Sequence, residues 1–215
     1  MSLHQARAAF SEIYQHDHWE AGSGIGSMME HVKPYLAFLA KFIRNNTIRS
    51  VVDVGCGDWQ FSSAMDWSGI SYRGFDLVEP VIAANRARFG ADNITFDVME
   101  EATVLPRADL AICKDVMQHL PNGDVAALLQ RLKENYRYAL VTNDIFPDVN
   151  RNGDIAYGGW RALRLDEPPF REQGPVLLRY DVKHGERHWT KDVRLVLGAE
   201  PPLVDRPDPR RPGAD

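Results

Sequence analysis

A glycine-containing stretch after an apolar run is the first place where this sequence could bind a ligand. Residues 51–59 read Val-Val-Asp-Val-Gly-Cys-Gly-Asp-Trp. An apolar, β-branched run of this kind predicts a strand buried on both faces, as in a parallel sheet. Gly55 and Gly57 allow a sharp turn and let a ligand approach the backbone. A helix predicted from Trp59 to about Asp66 would direct free N–H groups at that ligand.

An acidic residue follows the next predicted strand. Strand 2 is predicted at residues 71–76 and ends in Asp76. Nucleotide-binding α/β folds place a carboxylate about 20 residues after the glycine loop, where it binds ribose hydroxyls. Asp76 could instead cap the helix that Glu79 and Pro80 open. We therefore expect a ribose site at Asp76, with helix capping as the alternative.

The residues after the strand predicted at 109–113 could perform acid–base chemistry. Lys114, Asp115 and His119 follow this strand, and the carboxyl ends of parallel strands line the crevice of an open α/β sheet. His119 is a candidate general base because imidazole titrates near neutral pH. Asp115 lies one helical turn earlier, so it could face the same pocket and is a second candidate. His119 could also merely hydrogen-bond within its loop.

Two polar residues, Asn143 and Asp144, follow strand 5, which is predicted at 138–142. They would lie at the same rim of the sheet and are candidates for substrate binding. Asp115 together with Asp144 could form half of a magnesium site, but the ligand set is incomplete. The sequence therefore predicts no metal centre.

The segment 145–174 has no helical period because proline and glycine interrupt it. Long irregular segments in compact domains are commonly lids or binding loops. Tyr157, Trp160 and Arg161 would suit a substrate that carries a ring or sugar and an anionic group. The alternative is a surface cover packed by its own aromatic side chains.

Helices and a hairpin flank these candidate residues. Apolar residues at helical spacing predict N-terminal helices at 3–20 and 28–46. The glycine-rich loop 21–27 between them could cradle a ligand or simply link two helices, and Ser27 could cap the second helix. Further helices are predicted at 81–89 and 124–136, strand 3 at 93–96, and an antiparallel hairpin at 176–182 and 189–197.

Bulk composition limits the function classes. The chain has 215 residues and a net charge of −5, which argues against a nucleic-acid partner. No apolar run approaches the ~20 residues of a membrane span, and the first residues lack a signal-peptide core. Cys56 and Cys113 are expected to be buried thiols, so we expect a cytoplasmic location. The oligomeric state stays open.

Asp53, Gly55 and Gly57 resemble the first motif of class I S-adenosylmethionine (SAM)-dependent methyltransferases, Asp/Glu-x-Gly-x-Gly. Gln60 stands where a Rossmann dehydrogenase would have a third glycine. The chain is also similar to small bacterial methyltransferases of mostly unassigned substrate, some of them encoded among surface-polysaccharide genes. That second similarity is carried by Ser-Gly-x-Gly-Ser, Asp-x-Gly-Cys-Gly-Asp-Trp, Lys-Asp-Val-x-Gln-His-Leu and Thr-Asn-Asp.

The resemblance implies a Rossmann-like α/β fold, with a seven-stranded sheet in the order 3-2-1-4-5-7-6 and N-terminal helices. It also implies SAM as cofactor, with Asp76 on the ribose and Glu100 with Met99 at the adenine, Asp97 being the alternative acid. The cofactor-binding residues would be Asp53, Gly55, Cys56, Gly57, Trp59, Asp76, Leu77, Met99, Glu100 and Lys114.

The expected organisation is a single methyltransferase domain at 1–197 and a disordered tail at 198–215. The domain would comprise a helical cap at 1–46, a cofactor-binding core at 50–144, a substrate loop or lid at 145–174 and a closing hairpin at 175–197. The expected reaction is methyl transfer to a small molecule, at a sugar-type hydroxyl rather than an amine. The alternatives are an NAD(P)-dependent oxidoreductase and a non-catalytic module that binds a metabolite.

Overall fold

The apolar runs form one seven-stranded sheet in the order β3-β2-β1-β4-β5-β7-β6, which confirms the order predicted from the sequence. The computed structural model describes residues 3–146 and 152–198. Strands β1 to β5 are parallel, and β7 runs antiparallel to both β5 and β6. The strands are β1 Ser50–Val54, β2 Ser71–Asp76, β3 Ile94–Val98, β4 Ala108–Lys114, β5 Tyr136–Ile145, β6 Val176–His184 and β7 Arg187–Leu197.

Helices cover both faces of the sheet, as the unbroken apolar strands require. The helices are α1 Leu3–Gln15, α2 Met29–Asn45, α3 Glu79–Phe89 and α4 Asn122–Asn135. On β1, Val52 packs with the apolar side chains of α1 and α4, whereas Val51 packs with those of α2. Alternating residues of one strand therefore belong to two separate cores. None of the described helices combines the length and the apolar composition of a membrane span.

The α-helix predicted from Trp59 to Asp66 is absent, and this prediction was wrong. The segment contains only one 3₁₀ turn, Ser62–Ala64. Trp59 has a φ of 58°, outside the helical region, and the Trp67 indole N–H donates to the Ser62 carbonyl at 2.8 Å. That bond competes with a helical ladder. No helix N-terminus therefore follows the glycine loop directly.

The N-terminal boundary predictions need correction at two points. Helix α1 ends at Gln15 rather than near residue 20, because Asp17 has a φ of 49° and cannot continue it. Ser27 does not cap α2: Met28 occupies the N-cap position, and the Ser27 hydroxyl donates to the Ser23 carbonyl at 3.3 Å.

Other predicted segments agree more closely with the structure, or they lie outside the described residues. The predicted helical turn before His119 is a 3₁₀ turn, Met117–His119. The C-terminal hairpin is present at the predicted place. Residues 147–151 of the predicted lid, and the predicted tail beyond Gly198, lie outside the part of the chain that the structure describes.

Candidate functional site

A cavity of about 200 Å³ lies at the carboxyl ends of β1, β2 and β4, below α1 and the loop that follows it. Most of the residues predicted from the sequence to bind a cofactor or act in catalysis line it. They are Asp53, Gly55, Cys56, Gly57, Asp76, Leu77, Met99, Lys114, Asp115 and His119. Trp59, Glu100, Asn143, Asp144, Tyr157, Trp160 and Arg161 do not line this cavity.

Asp76 joins the end of β2 to the glycine loop. Its Oδ2 accepts the Gly57 N–H and its Oδ1 accepts the Val78 N–H, each at 3.1 Å. An ionised carboxylate has about four acceptor sites, so Asp76 can still accept from a further donor. Burial raises the pKa of Asp76, although the backbone donors oppose the shift. Asp76 therefore orders the loop before α3 and can still accept hydroxyl groups from the cavity.

The glycine loop needs residues without side chains. Gly55 and Gly57 have φ values of 77° and 55°, which L-residues rarely adopt. A Cβ at Gly57 would lie 2.3 Å from the Ser23 hydroxyl, and one at Gly55 would lie 2.4 Å from Val116 Cγ2. The loop is thus packed tightly between the N-terminal cap and the loop that follows β4.

Part of the cavity lining is apolar. It includes Leu77, Met99 and Leu105, here called the apolar slot, and apolar side chains of this kind suit a flat ring. Glu100 points away and pairs with Arg7 at 2.9 Å, with its side chain 57% exposed. Asp97 pairs with Arg73 at 2.6 Å. The structure therefore places both acids that were candidates for the adenine outside the cavity.

Trp59 and Cys56 are both buried beside the glycine loop. Trp59 is buried among the rings of Trp67, Tyr72, Phe89 and Phe96, so it packs behind the glycine loop rather than facing the cavity. Cys56 is a buried free thiol whose pKa is raised by burial. Cys113 is likewise free and buried, as predicted.

The cavity therefore has the groups that a nucleoside site needs. An acid that can accept hydrogen bonds lies at the end of β2, a backbone turn without side chains lies beside it, and the apolar slot belongs to the same lining. A SAM molecule carries a ribose, an adenine and an amino-acid end, and these three features fit its three parts.

A cluster of buried charges lies beside the cavity, at the ends of β4 and β5. Lys114 Nζ is 2.6 Å from Asp115 Oδ2 and donates to the Gly26 carbonyl at 3.2 Å. Lys191 Nζ is 2.9 Å from Asp115 Oδ1 and is also hydrogen-bonded to Asp144. Lys114, Lys191 and Asp144 are buried, and the Asp115 side chain is 13% exposed. Asp115 and Asp144 were considered above as half of a magnesium site. The Lys191 ammonium lies between these two carboxylates, in the position that such an ion would take.

The pKa shifts in this cluster follow from burial and pairing. Burial would raise the pKa of Asp115, but the Lys114 and Lys191 ammoniums outweigh it and lower the pKa. Burial would lower the pKa of Lys191, but the Asp115 and Asp144 carboxylates raise it. Pairing thus favours the charged forms of Asp115 and Lys191, and Asp115 does not have the properties of a free base.

His119 lines the cavity with a defined tautomer. Its Nδ1 lies 2.8 Å from the Gly159 carbonyl, which can only accept, so Nδ1 carries the proton. Neutral His119 therefore has its lone pair on Nε2. Burial lowers the pKa of His119, and the Trp19 ring packs 4.6 Å from the imidazole. The geometry holds a neutral imidazole with one unprotonated nitrogen.

The residues predicted to bind substrate are not part of the cavity lining. Asp144 accepts from Lys191, from Gln118 and from the Trp160 indole N–H, the last two at 3.2 Å. Asn143, on the opposite face of β5, has no partner for Oδ1 among the described residues. The Trp160 ring is 45% exposed.

Tyr157 and Arg161 anchor the segment after residue 152. The Tyr157 hydroxyl donates to Asp124 at the start of α4. Arg161 donates to the Gln118 carbonyl at 3.3 Å and to Asn122 Oδ1 at 2.8 Å. The structure thus uses these two side chains to fix the segment against α4 and the turn that contains His119.

Sequence reasoning missed Tyr14, Ser23 and Lys191. The Ser23 hydroxyl lies 2.8 Å from the Tyr14 hydroxyl and accepts the Asp58 N–H at 2.9 Å, so the 21–27 loop contacts the glycine loop. Lys191 is 1% exposed and is among the most deeply buried large side chains of the described residues. Its signal was a lysine between Trp189 and Val193, on the inward face of a predicted strand.

Comparison with protein-family models shows which family the chain matches. A family model described as a methyltransferase domain matches residues 26–144. No curated protein is significantly similar to the chain. Among solved structures, magnesium protoporphyrin IX methyltransferase (ChlM) from Synechocystis PCC 6803 with bound SAH is 16% identical with a TM-score of 0.62, over 90% of this chain and 100% of that one.

Two further structures show the same fold. An S-adenosylmethionine-dependent methyltransferase from Clostridium acetobutylicum ATCC 824 is 11% identical with a TM-score of 0.56, over 78% of this chain and 92% of that one. TehB from Haemophilus influenzae is 14% identical with a TM-score of 0.57, and the match covers 79% of this chain but only 63% of TehB. Because the family model covers more than half of the sequence, the chain belongs to the methyltransferase-domain family.

Proposed function

We propose that the chain transfers a methyl group from SAM to a hydroxyl group of a small molecule, such as a sugar or a similar metabolite. The observation that carries the proposal is the cavity in which Asp76, the glycine loop and an apolar slot meet. Family membership makes methyl transfer the reaction that this cavity serves.

The proposed cofactor contacts follow the three parts of the cavity. Asp76 accepts from the ribose hydroxyls with its remaining acceptor capacity. Leu77 and Met99 hold the adenine ring by apolar contact. Gly55 and Gly57 let the amino-acid end approach the backbone. When bound, SAM supplies a methyl group that its sulfonium already activates.

His119 is the proposed general base for a hydroxyl acceptor. Its Nε2 is unprotonated because the Gly159 carbonyl holds the proton on Nδ1. A hydroxyl group must lose a proton on methylation, and a positioned imidazole can remove it. An amine acceptor needs such a base less, which is why the geometry favours O-methylation.

The acceptor would lie between His119 and the exposed ring of Trp160. In this proposal Trp160 contacts the acceptor, and Tyr157 and Arg161 hold the segment in place. Asp144 and Asp115 act indirectly, since Lys191 binds both. Asp115 thereby positions the start of the turn that carries His119.

Calorimetry with SAM, its demethylated product SAH, and NAD tests the cofactor. We expect heat from SAM and SAH but none from NAD. Asp76→Asn should weaken SAM binding by roughly ten- to hundredfold, because a hydrogen bond to a charged group contributes about 1.5–3 kcal/mol. Asp97→Asn is the matched control, since Asp97 lies on the neighbouring strand β3 and pairs with Arg73 outside the cavity.

Each outcome decides between the candidate functions. Equal SAM affinity in the wild type and Asp76→Asn would contradict the proposed cofactor site. NAD binding without SAM binding would favour an oxidoreductase. The third outcome is tight SAM binding with no SAH formed when nucleotide sugars that offer hydroxyl or amine acceptors are screened. That outcome would favour a non-catalytic module.

A further inference from the structure

Two histidines and a glutamate converge outside the cavity, where α2 begins and β6 ends. His31 Nε2 lies 3.4 Å from His184 Nδ1 and 3.2 Å from Glu30 Oε1. His184 Nδ1 lies 3.8 Å from the same glutamate oxygen. The His31 side chain is buried, that of His184 is 32% exposed, and that of Glu30 is 60% exposed. The cluster thus lies at the protein surface with one buried member.

The convergence does not follow from chain neighbourhood. Glu30 and His31 are adjacent in α2, and adjacent residues of a helix do not face each other. The Glu30 side chain nevertheless bends back to the His31 ring. His184 comes from the end of β6, 153 positions further along the chain. Three donor atoms from two distant segments therefore meet at one point.

We infer that Glu30, His31 and His184 form a divalent transition-metal site, and that Zn²⁺ fits it. Tetrahedral zinc with bonds of about 2.0–2.2 Å separates its ligand atoms by roughly 3.3–3.6 Å. The three observed separations, 3.2, 3.4 and 3.8 Å, bracket this value. Two imidazoles and one carboxylate are a common ligand set for zinc, with water in the fourth position.

Such an ion would tie the N-terminal cap to the C-terminal hairpin. Helix α2 already packs against β6, and the ion would add a cross-link between them at the start of α2. The site is separate from the cluster of Asp115, Asp144 and Lys191, in which the carboxylates are already bound by a lysine. The expected role is therefore stabilising rather than catalytic.

Zinc titration of tag-free, EDTA-treated protein tests the site. We expect one Zn²⁺ bound per chain in calorimetry, a rise in the melting temperature with zinc, and the visible spectrum of tetrahedral cobalt when Co²⁺ replaces zinc. His184→Ala should weaken zinc binding by at least about tenfold, because even second-shell changes cost metal sites that much. Glu30→Gln, a conservative change at an exposed side chain, should weaken it as well.

His188→Ala is the matched control, because His188 lies on the same hairpin and its side chain is 53% exposed. A His16→Ala, His18→Ala double variant removes the stacked exposed pair on the N-terminal loop. Both should bind zinc like the wild type. The inference is overturned if the wild type binds no zinc, if His184→Ala and Glu30→Gln bind as well as the wild type, or if the double variant abolishes binding.

Discussion

Lys191 Nζ lies 2.9 Å from Asp115 Oδ1 and also bonds Asp144, so one ammonium from β7 pairs with two carboxylates, one that follows β4 and one near the end of β5. The sheet register explains the arrangement, because Asp144 is paired directly with Lys191 across β5 and β7. The hairpin therefore completes the charge balance beside the cavity as well as extending the sheet.

Replacing Lys191 with methionine should destabilise the protein strongly. Breaking a buried ion pair by removing one partner costs about 3–5 kcal/mol, because it leaves a buried charge uncompensated. Urea denaturation measures the loss. Lys183→Met is the control, since Lys183 is exposed on β6 and its replacement should change the stability by less than about 0.5 kcal/mol. Equal unfolding midpoints for the two variants would contradict this account.

Replacing His119 with asparagine should lower kcat by roughly 10²- to 10⁴-fold, the usual contribution of a general base. Because burial lowers the pKa of His119, the base form persists below pH 6.5, and the acid limb of the wild-type rate profile should lie there. The variant should lose that limb and keep its affinity for SAM. His188→Asn should behave as the wild type; an unchanged acid limb in His119→Asn would rule out the proposed base.

Asp53 should make the folded protein less stable as the pH rises. Burial raises its pKa from 3.8 to about 7, although the Tyr72 hydroxyl and Lys114 oppose the shift. Between these values the folded state binds more protons than the unfolded state, so stability falls with increasing pH. Asp53→Asn mimics the neutral acid and does not lose this stability as the pH rises. Between about pH 5 and pH 8 its free energy of unfolding should therefore gain on the order of 2 kcal/mol relative to the wild type, and its relative melting temperature should rise accordingly.

The control for Asp53 is an exposed acid. The pKa of Asp66 is lowered by hydrogen bonds from Ser68, so Asp66 does not titrate in this pH range. The difference in stability between Asp66→Asn and the wild type should therefore be the same at pH 5 and at pH 8. If Asp53→Asn and Asp66→Asn gave parallel pH profiles, Asp53 would have to be ionised throughout.

The adenine end should depend on Met99 rather than on Glu100. Met99→Ala removes an apolar part of the cavity lining and should weaken SAM binding by roughly tenfold or more, since fully burying a methionine side chain contributes about 1.5–3 kcal/mol. Glu100→Gln breaks only an exposed pair with Arg7 and should leave the affinity unchanged. A tenfold loss in Glu100→Gln, measured by calorimetry, would return Glu100 to the adenine site.

The sheet was predictable because its signals are local. The apolar run that contains Val51 and Val52 predicts a strand buried on both faces. The alternation of apolar and polar residues at 176–182 and 189–197 predicts a hairpin. The absence of a helix after the glycine loop was not predictable in the same way, because the bond from Trp67 to Ser62 and the aromatic packing of Trp59 are tertiary features. Propensity alone cannot anticipate such contacts.

The cavity was predictable in its strand-end residues but not in its boundaries. Asp76, Asp115 and His119 follow strands, so topology brings them together. Glu100 was assigned by spacing within a loop, and spacing does not fix which way a side chain points; Arg7 of α1 draws it outward. Arg161 suited an anionic substrate by its chemistry, yet it bonds Asn122 and the Gln118 backbone.

The order of the chain has a consequence for synthesis. Asp115 and Asp144 leave the ribosome before Lys191, since the hairpin lies C-terminal to β5. A nascent chain that ends before β7 therefore carries two carboxylates without their shared cation and a β5 edge without its antiparallel neighbour. Strand β7 is thus the strand that completes the described sheet, so this charge pairing is secured only after the chain has been translated through Leu197.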